Sequence, residues 1–155
     1  MESPQNHIWG PALWMILHSS AERIGFVVLR KLPEEEKRIW SSLLSSLRFS
    51  IPCPACKMHY TTYLSKHPIH SFTREGLREW LFNLHSDVNN RIGSNNEFTL
   101  DTVAEHYSRD FHYTHCYKTV ESQMNLSLRL QWIKREDIQK TCRLLLEMQR
   151  FYSLI

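Results

Sequence analysis

The chain has 155 residues, 42% of them hydrophobic and 23% charged, which is the size and composition of one globular domain and leaves little room for two. Nineteen basic against 16 acidic residues give a formal charge of +3 without any block of like charge, so the sequence carries no electrostatic footprint for a nucleic-acid partner. Only four glycines are present, and Gly10, Gly25, Gly76 and Gly93 lie too far apart to build a phosphate-cradling loop. A nucleotide, if one is bound, must be held another way. A chain of this length needs neither a metal nor a disulfide simply to fold, which leaves Cys53, Cys56, Cys116 and Cys142 free for chemistry.

The first residues, Met1 to Asn6, carry an acid and no base ahead of the apolar stretch from Ile8 to Leu17, which does not read as a secretory signal. No apolar run of about 18 residues predicts a membrane span. Helical spacing dominates the rest, with no repeat and no long two-residue alternation. Trp9, Leu13, Ile16, Leu17, Ser20 and Ile24 share one face of a first helix, with Pro11 in its first turn and an end or bend at Gly25. A second helix starts at Pro33, where Glu34, Glu35 and Glu36 complement the dipole, and buries Ile39, Leu43, Leu44 and Leu47.

Pro52 and Pro54 mark the start of a third helix running to about Leu64, with Cys53 and Cys56 near its N-terminus. The loop from Ser65 to His70 follows. A fourth helix runs from the N-cap Thr73 to Gly93 and buries Leu77, Trp80, Leu81, Leu84, Val88 and Ile92; a short fifth, Leu100 to Phe111, presents Val103, Ala104, Tyr107 and Phe111. From Thr114 onward, Leu126, Leu128, Leu130, Ile133, Ile138, Leu144, Leu145, Met148 and Phe151 predict one or two further helices, broken at Lys134 to Asp137. So many large apolar side chains need burial, on the bundle or on a partner chain. The expected fold is all-α: a four-helix bundle with a short fifth helix over residues 1–113, and a helical C-terminal extension over residues 114–155.

A Cys-x-x-Cys at a helix N-terminus has a physical use, because the dipole and the free N–H groups there stabilise a thiolate and draw a thiol pKa from about 8.5 toward neutrality. The same pair can be half of a zinc site, completed by His67 and His70, and on the motif alone the two readings are evenly matched. A thioredoxin-like domain would need strands that the pattern lacks. Cys116 and Cys142 read as buried thiols or a long-range bridge, with a shuttle or an intermolecular link as alternatives. Trp40, Tyr60, Tyr113 and Trp132 read as packing residues, or as cover for a dimer interface, and His106, His112 and His115 as surface or core residues.

Three stretches in series break the tie between redox and zinc. Trp9-Gly10-Pro11-Ala12-Leu13-Trp14-Met15-Ile16-Leu17-His18, then Cys53-Pro54-Ala55-Cys56-Lys57-Met58-His59, then Trp80 through His85, Val88, Asn89 and Gly93 together resemble the ERV/ALR family of FAD-dependent sulfhydryl oxidases, and within it the short members from large cytoplasmic DNA viruses. The resemblance implies a helical bundle that holds FAD without a dinucleotide fold, usually as a homodimer. It makes Cys53 and Cys56 the catalytic pair and places Gly10, Trp14, His18, Cys56, His59, Trp80, His85, Val88 and Asn89 around the cofactor, with His59 and Trp80 the weaker matches that could equally be core. It also implies a reaction: a dithiol of a substrate protein, or of a thioredoxin-like relay protein, attacks Cys53, and the electrons pass through Cys56 and FAD to O2, giving H2O2. The expected setting is the host cytoplasm or the virion, with no metal.

The chain departs from the family pattern at Ser86, where Asn is common, and at Ser94, where Lys is common. Glu97 to Leu100 contains no cysteine for the structural disulfide of many cellular relatives, and no second Cys-x-x-Cys is present. Arg91 is placed to replace a lost cofactor contact, or is an ordinary solvated helix residue. The alternative function is a non-catalytic zinc-binding module using Cys53, Cys56, His67 and His70.

Overall fold

The computed structural model describes residues 2–26 and 33–155, and among these it contains helices and no strand. The helices are α1 (Asn6–Ala21), α2 (Pro33–Ser50), α3 (Pro54–Lys66), α4 (Arg74–Ile92), α5 (Leu100–Tyr107), α6 (Tyr113–Arg129) and α7 (Arg135–Phe151). None of the described helices is long and apolar enough to cross a membrane.

The boundaries follow local chemistry. Thr73 caps α4 by accepting from the Gly76 N–H at 3.0 Å, and Gly93 ends it with φ +75°, a left-handed conformation that costs glycine little. Three glutamates sit in the first turn of α2, and Thr99 and Thr102 form a reciprocal capping box on α5. Boundaries differ from expectation in α1, which also ends at Ala21 ahead of Ile24 and Gly25, and in α5. The Gln5 carbonyl already accepts from Ile8 and Trp9, so α1 starts ahead of Pro11 and the proline lies inside the helix instead of in its first turn. Helix α5 stops at Tyr107 short of Phe111, because the Arg23 guanidinium takes the Tyr107 and Arg109 carbonyls at 2.9 and 3.1 Å, which a continuing helix would have kept.

The core is shared by all the long helices: α2 packs on α7 and α3, α1 on α6, α4 and α5, and α6 on α7. Ile39, Leu43, Leu44 and Leu47 are buried as expected. In α4, Leu77, Trp80, Leu81 and Leu84 are buried, whereas Ile92, read as the last member of that face, is 58% exposed because α4 outruns the core by a turn. The residues after Thr114 form two helices that close on the bundle. In α6 the buried face is Tyr113, Tyr117, Val120, Met124 and Ser127, while Leu126, Leu128 and Leu130 are half-buried.

Among the described residues the buried side-chain polar atoms of this shared core find partners, many across long sequence distances, except the Ser20 hydroxyl. Tyr113 donates to the Leu145 carbonyl at 2.6 Å, and the Trp40 indole donates to Tyr152, which in turn donates to Glu36. Thr141 lies 2.6 Å from Ser50 and donates to Ser46 at 2.9 Å. A bidentate pair from Arg78 to the buried Glu22, at 2.8 and 2.7 Å, fixes the end of α1 on α4.

Candidate active site

The start of α3 is held from three sides. Pro54 occupies the first helical turn, and Cys53 is the N-cap, its sulfur accepting from the Cys56 N–H at 3.2 Å. The preceding Pro52 is buried, and its carbonyl accepts from the Ser127 hydroxyl of α6 at 2.6 Å. The Lys57 ammonium donates to the Trp132 carbonyl at 3.3 Å. Cys53 and Cys56 are thus fixed as two free, half-buried thiols side by side.

The electrostatics at Cys56 depart from the helix-terminus expectation. Its thiol is pushed up to about 11, by burial first and then by the hydrogen bond and charge of Cys53, with the Arg91 guanidinium pulling the other way. Arg91 Nη2 stands 3.5 Å from the Cys56 sulfur. Burial raises the thiol despite its place at the helix start, and the exposed Arg91 is a cation within reach that favours the thiolate.

The two cysteines open onto a cavity of about 810 Å³ between α1, α3 and α4. Gly10, Trp14, His59, His85, Val88 and Asn89 line it together with Cys53 and Cys56. A second cavity of about 540 Å³ shares Trp14, His85 and Asn89 with the first and adds His18, Ser86, Asn96 and Tyr107. The wall between them is a ring assembly. Trp14 stacks on His85 at 4.0 Å with a 9° interplanar angle, His18 Nε2 lies 3.0 Å from His85 Nδ1, and His18 stacks on Tyr107 at 4.4 Å. Burial lowers His18 to about 3, helped by charge repulsion from His85 and His106, and burial alone lowers His85 to about 4. Both imidazoles are therefore neutral near pH 7, and one donates to the other.

Of the residues that sequence reasoning places at the site, eight share the first cavity and His18 faces the second. Trp80 lines neither. It sits in the core against the edge of Tyr63, and its indole N–H donates to the His67 carbonyl at 2.7 Å. His59 lines the first cavity and is anchored by a 2.7 Å contact with Asp87. The zinc reading fails on geometry. Cys53 caps the start of α3 and His67 its end, 13 helical residues apart, a separation of roughly 20 Å, and His67 is stacked on Tyr63. No group of three or more potential metal-ligating side chains gathers among the described residues.

Trp132, Tyr107 and Asn96 were not read as site residues. Trp132 reaches the first cavity from the turn between α6 and α7. Asn96 accepts from Asn89 at 2.9 Å and donates to Ser86 at 3.2 Å, bringing a carboxamide to the place where Ser86 lacks one. No local signal marks Trp132 or Tyr107; Asn96 lies in the short Asn-rich turn after Gly93.

The lining suits a flat heterocycle with polar substituents. The first cavity is near the upper end of the roughly 300–1,000 Å³ range of small-molecule sites. It offers ring faces at Trp14 and His85, hydrogen bonding at Asn89 and a cation at Arg91. At Gly10 nothing lies within 4 Å of where a Cβ would stand, so the backbone is open to the cavity. Trp14 and His85 are in contact, so a ring stacks on an outer face of that pair and not between them.

Among the described residues, a helical bundle thus sets a Cys-x-x-Cys against an aromatic cavity of cofactor size. The Erv1 / Alr family model matches residues 11–108, and the chain belongs to that family. It is 31% identical over 86 residues to the "FAD-linked sulfhydryl oxidase" of African swine fever virus (isolate Warthog/Namibia/Wart80/1980), covering 54% of this chain and 67% of that protein. It is 30% identical over 88 residues to "Probable FAD-linked sulfhydryl oxidase R368" of Acanthamoeba polyphaga mimivirus, 55% of this chain and 59% of that protein. To "FAD-linked sulfhydryl oxidase ERV1" of Arabidopsis thaliana it is 27% identical over 84 residues, 54% and 42% of the respective chains. The matched stretch thus spans about two thirds or less of each relative. No solved structure matches the chain.

Proposed function

We propose that this protein is an FAD-dependent thiol oxidase that introduces disulfides into protein dithiols at the expense of O2. The observation that carries the reading is the convergence of Cys53, Cys56, Trp14, His85 and Asn89 on one cavity, in a chain of the Erv1 / Alr family. Residues 1–113 hold this machinery and residues 114–155 form the extension that braces it.

The residues divide the work. A substrate thiolate attacks the Cys53 sulfur of the oxidised pair, forming a mixed disulfide and releasing Cys56; the second substrate thiol resolves it, leaving substrate disulfide and two protein thiols. Cys53 suits the attacked position, since Pro52 and Ser127 fix its backbone while its sulfur stays half-exposed. Cys56 needs help to leave as a thiolate because burial holds its pKa high, and Arg91 is the cation within reach. Trp14, His85, Val88 and Asn89 would hold FAD, with His18 and Tyr107 backing the His85 ring. The chemistry FAD supplies when bound is acceptance of two electrons from a dithiol and their transfer to O2 with H2O2 as product. Neutral His18 and His85 keep that wall free of positive charge at neutral pH.

A homodimer is part of this proposal on the strength of the family, and sedimentation of the purified protein tests it. The African swine fever virus and mimivirus relatives support a place in the infected cell's cytoplasm or in the virion. The natural substrate is a protein dithiol or a thioredoxin-like relay. The deciding experiment is an absorption spectrum with and without dithiothreitol: a flavin band that bleaches without air and returns with air, with H2O2 formed, is the expected result. A colourless protein that releases no peroxide sinks the reading.

A further inference from the structure

The turn between α6 and α7 lies outside the residues matched by the family model, yet it is tied to the redox pair. Ser127, fully buried, holds the Pro52 carbonyl at 2.6 Å, and the Trp132 carbonyl takes the Lys57 ammonium. Gln131 adopts φ +63°, which swings the next residue back so that the Trp132 N–H reaches the Ser127 carbonyl at 3.0 Å. Ile133 is buried and locks the far side of the turn. A tryptophan placed by four separate constraints nonetheless stays 41% exposed, and it lines the cavity that holds Cys53.

The surroundings of Cys53 limit how an incoming chain can be recognised. Pro52 and Pro54 flank it, neither has an N–H to offer, and the Pro52 carbonyl is already taken. Backbone pairing with a substrate strand is therefore poor at this mouth. The exposed large apolar side chains that line this cavity are those of Trp132 and the 58% exposed Ile92, beside the polar Gln5, Asn6, His7 and Arg91. A half-exposed indole beside a reactive sulfur is the kind of anchor on which a polypeptide partner packs.

We infer that Trp132 is a specificity-determining residue: it forms an apolar platform for the residues flanking the cysteine of a polypeptide substrate, and so favours protein dithiols over small ones at Cys53. This rests on the thiol-oxidase reading for its biological meaning, but its test does not depend on bound flavin. In a Cys56→Ser background the Cys53 thiolate attacks a thionitrobenzoate mixed disulfide, forms Cys53–S–S–R and releases coloured thionitrobenzoate, so electrons and atoms balance without O2. Rates are compared for a short peptide with apolar residues beside its cysteine and for mercaptoethanol, both as thionitrobenzoate disulfides.

The expected result is a peptide-to-mercaptoethanol rate ratio at least tenfold lower with Trp132→Ala, largely restored by Trp132→Phe, and much less affected when the peptide flanks are polar. A ratio that is unchanged, or a loss equal for both reagents, overturns the inference. If the wild-type protein instead fails to oxidise dithiothreitol while the ratio still depends on Trp132, the oxidase reading falls and the platform stands.

Discussion

The family-matched helices α1 to α5 and the α6–α7 hairpin contribute polar side chains to one continuous interior, but they leave them in different states. In the hairpin the polar groups are buried against protein partners: Tyr113 on the Leu145 carbonyl, Ser127 on the Pro52 carbonyl, Thr141 between Ser50 and Ser46, Tyr152 between Trp40 and Glu36. Around the cavity they are left open. His18 and His85 share one hydrogen bond, Arg91 approaches Cys56 from an exposed position, and Asn89 keeps its own carbonyl oxygen uncommitted by the contact to Asn96. A sealed polar group fixes position, while one with a free end facing a cavity is available to a ligand or a proton. The first kind makes a scaffold and the second a site.

This contrast is most sharply tested at the sulfur. Cys56→Ser, on the open side, should reduce dithiothreitol oxidation to background while moving the melting temperature little, since a half-buried hydroxyl of similar size replaces the thiol. Oxygen uptake and a thermal melt on the same preparation check both halves; substantial residual turnover would mean that Cys56 does not relay electrons.

Acid should affect the open side next. His18 and His85 are depressed in the folded protein and return to about 6.5 on unfolding, so the unfolded chain binds more protons below that pH. The stability they contribute is present above pH 6.5 and is lost as pH falls toward 4 and then 3. The expected loss is of the order of a few kcal/mol, read by denaturant titration at pH 7 and pH 4.5. A His18→Gln, His85→Gln double variant should flatten that dependence, and an equally steep slope in the variant would remove these imidazoles as its source.

On the sealed side the effect is smaller and falls on stability alone. Thr141→Val keeps the shape and removes the hydroxyl between Ser50 and Ser46. Ser46 retains its bond to the Leu43 carbonyl, and Ser50 has the Ser46 carbonyl at 3.2 Å, so neither is stranded. The cost should be about 1 kcal/mol, measured by denaturant unfolding. A loss of several kcal/mol would show that the hairpin's polar cluster does more than hold position.

The same division governs what could be read from the sequence. Helix starts at Pro33, Pro54 and Thr73 and the stop at Gly93 were legible because capping and proline chemistry act within a few residues. The Cys-x-x-Cys was legible for the same reason, whereas Trp14, His85 and Asn89 stood out only through the family resemblance of three motifs in series, each of them weak alone. Contacts between remote segments were not legible. Nothing near Trp132 announces that it lines the cavity of Cys53, and Trp80, inside a motif, turns its indole to the His67 carbonyl and lines no part of that cavity. The rise of the Cys56 thiol was missed because a position in the helix is local, whereas burial depends on what the other helices bring against it.

The smallest expected effect lies where the two regions meet. Gln131 sits at φ +63°, a conformation that costs a non-glycine residue about 1 kcal/mol. Gln131→Gly removes that strain but adds freedom to the unfolded chain worth about 0.5–1 kcal/mol, so the two nearly cancel and the melting temperature should shift by no more than about 2 °C. The turn is held by other bonds, from Trp132 to Ser127 and from Lys57 to Trp132, so Trp132 should keep its place and the peptide preference at Cys53 should persist. A stable Gln131→Gly protein that loses this preference would assign the placement of Trp132 to the strained residue itself, and make the turn part of the site in its backbone as well as its indole.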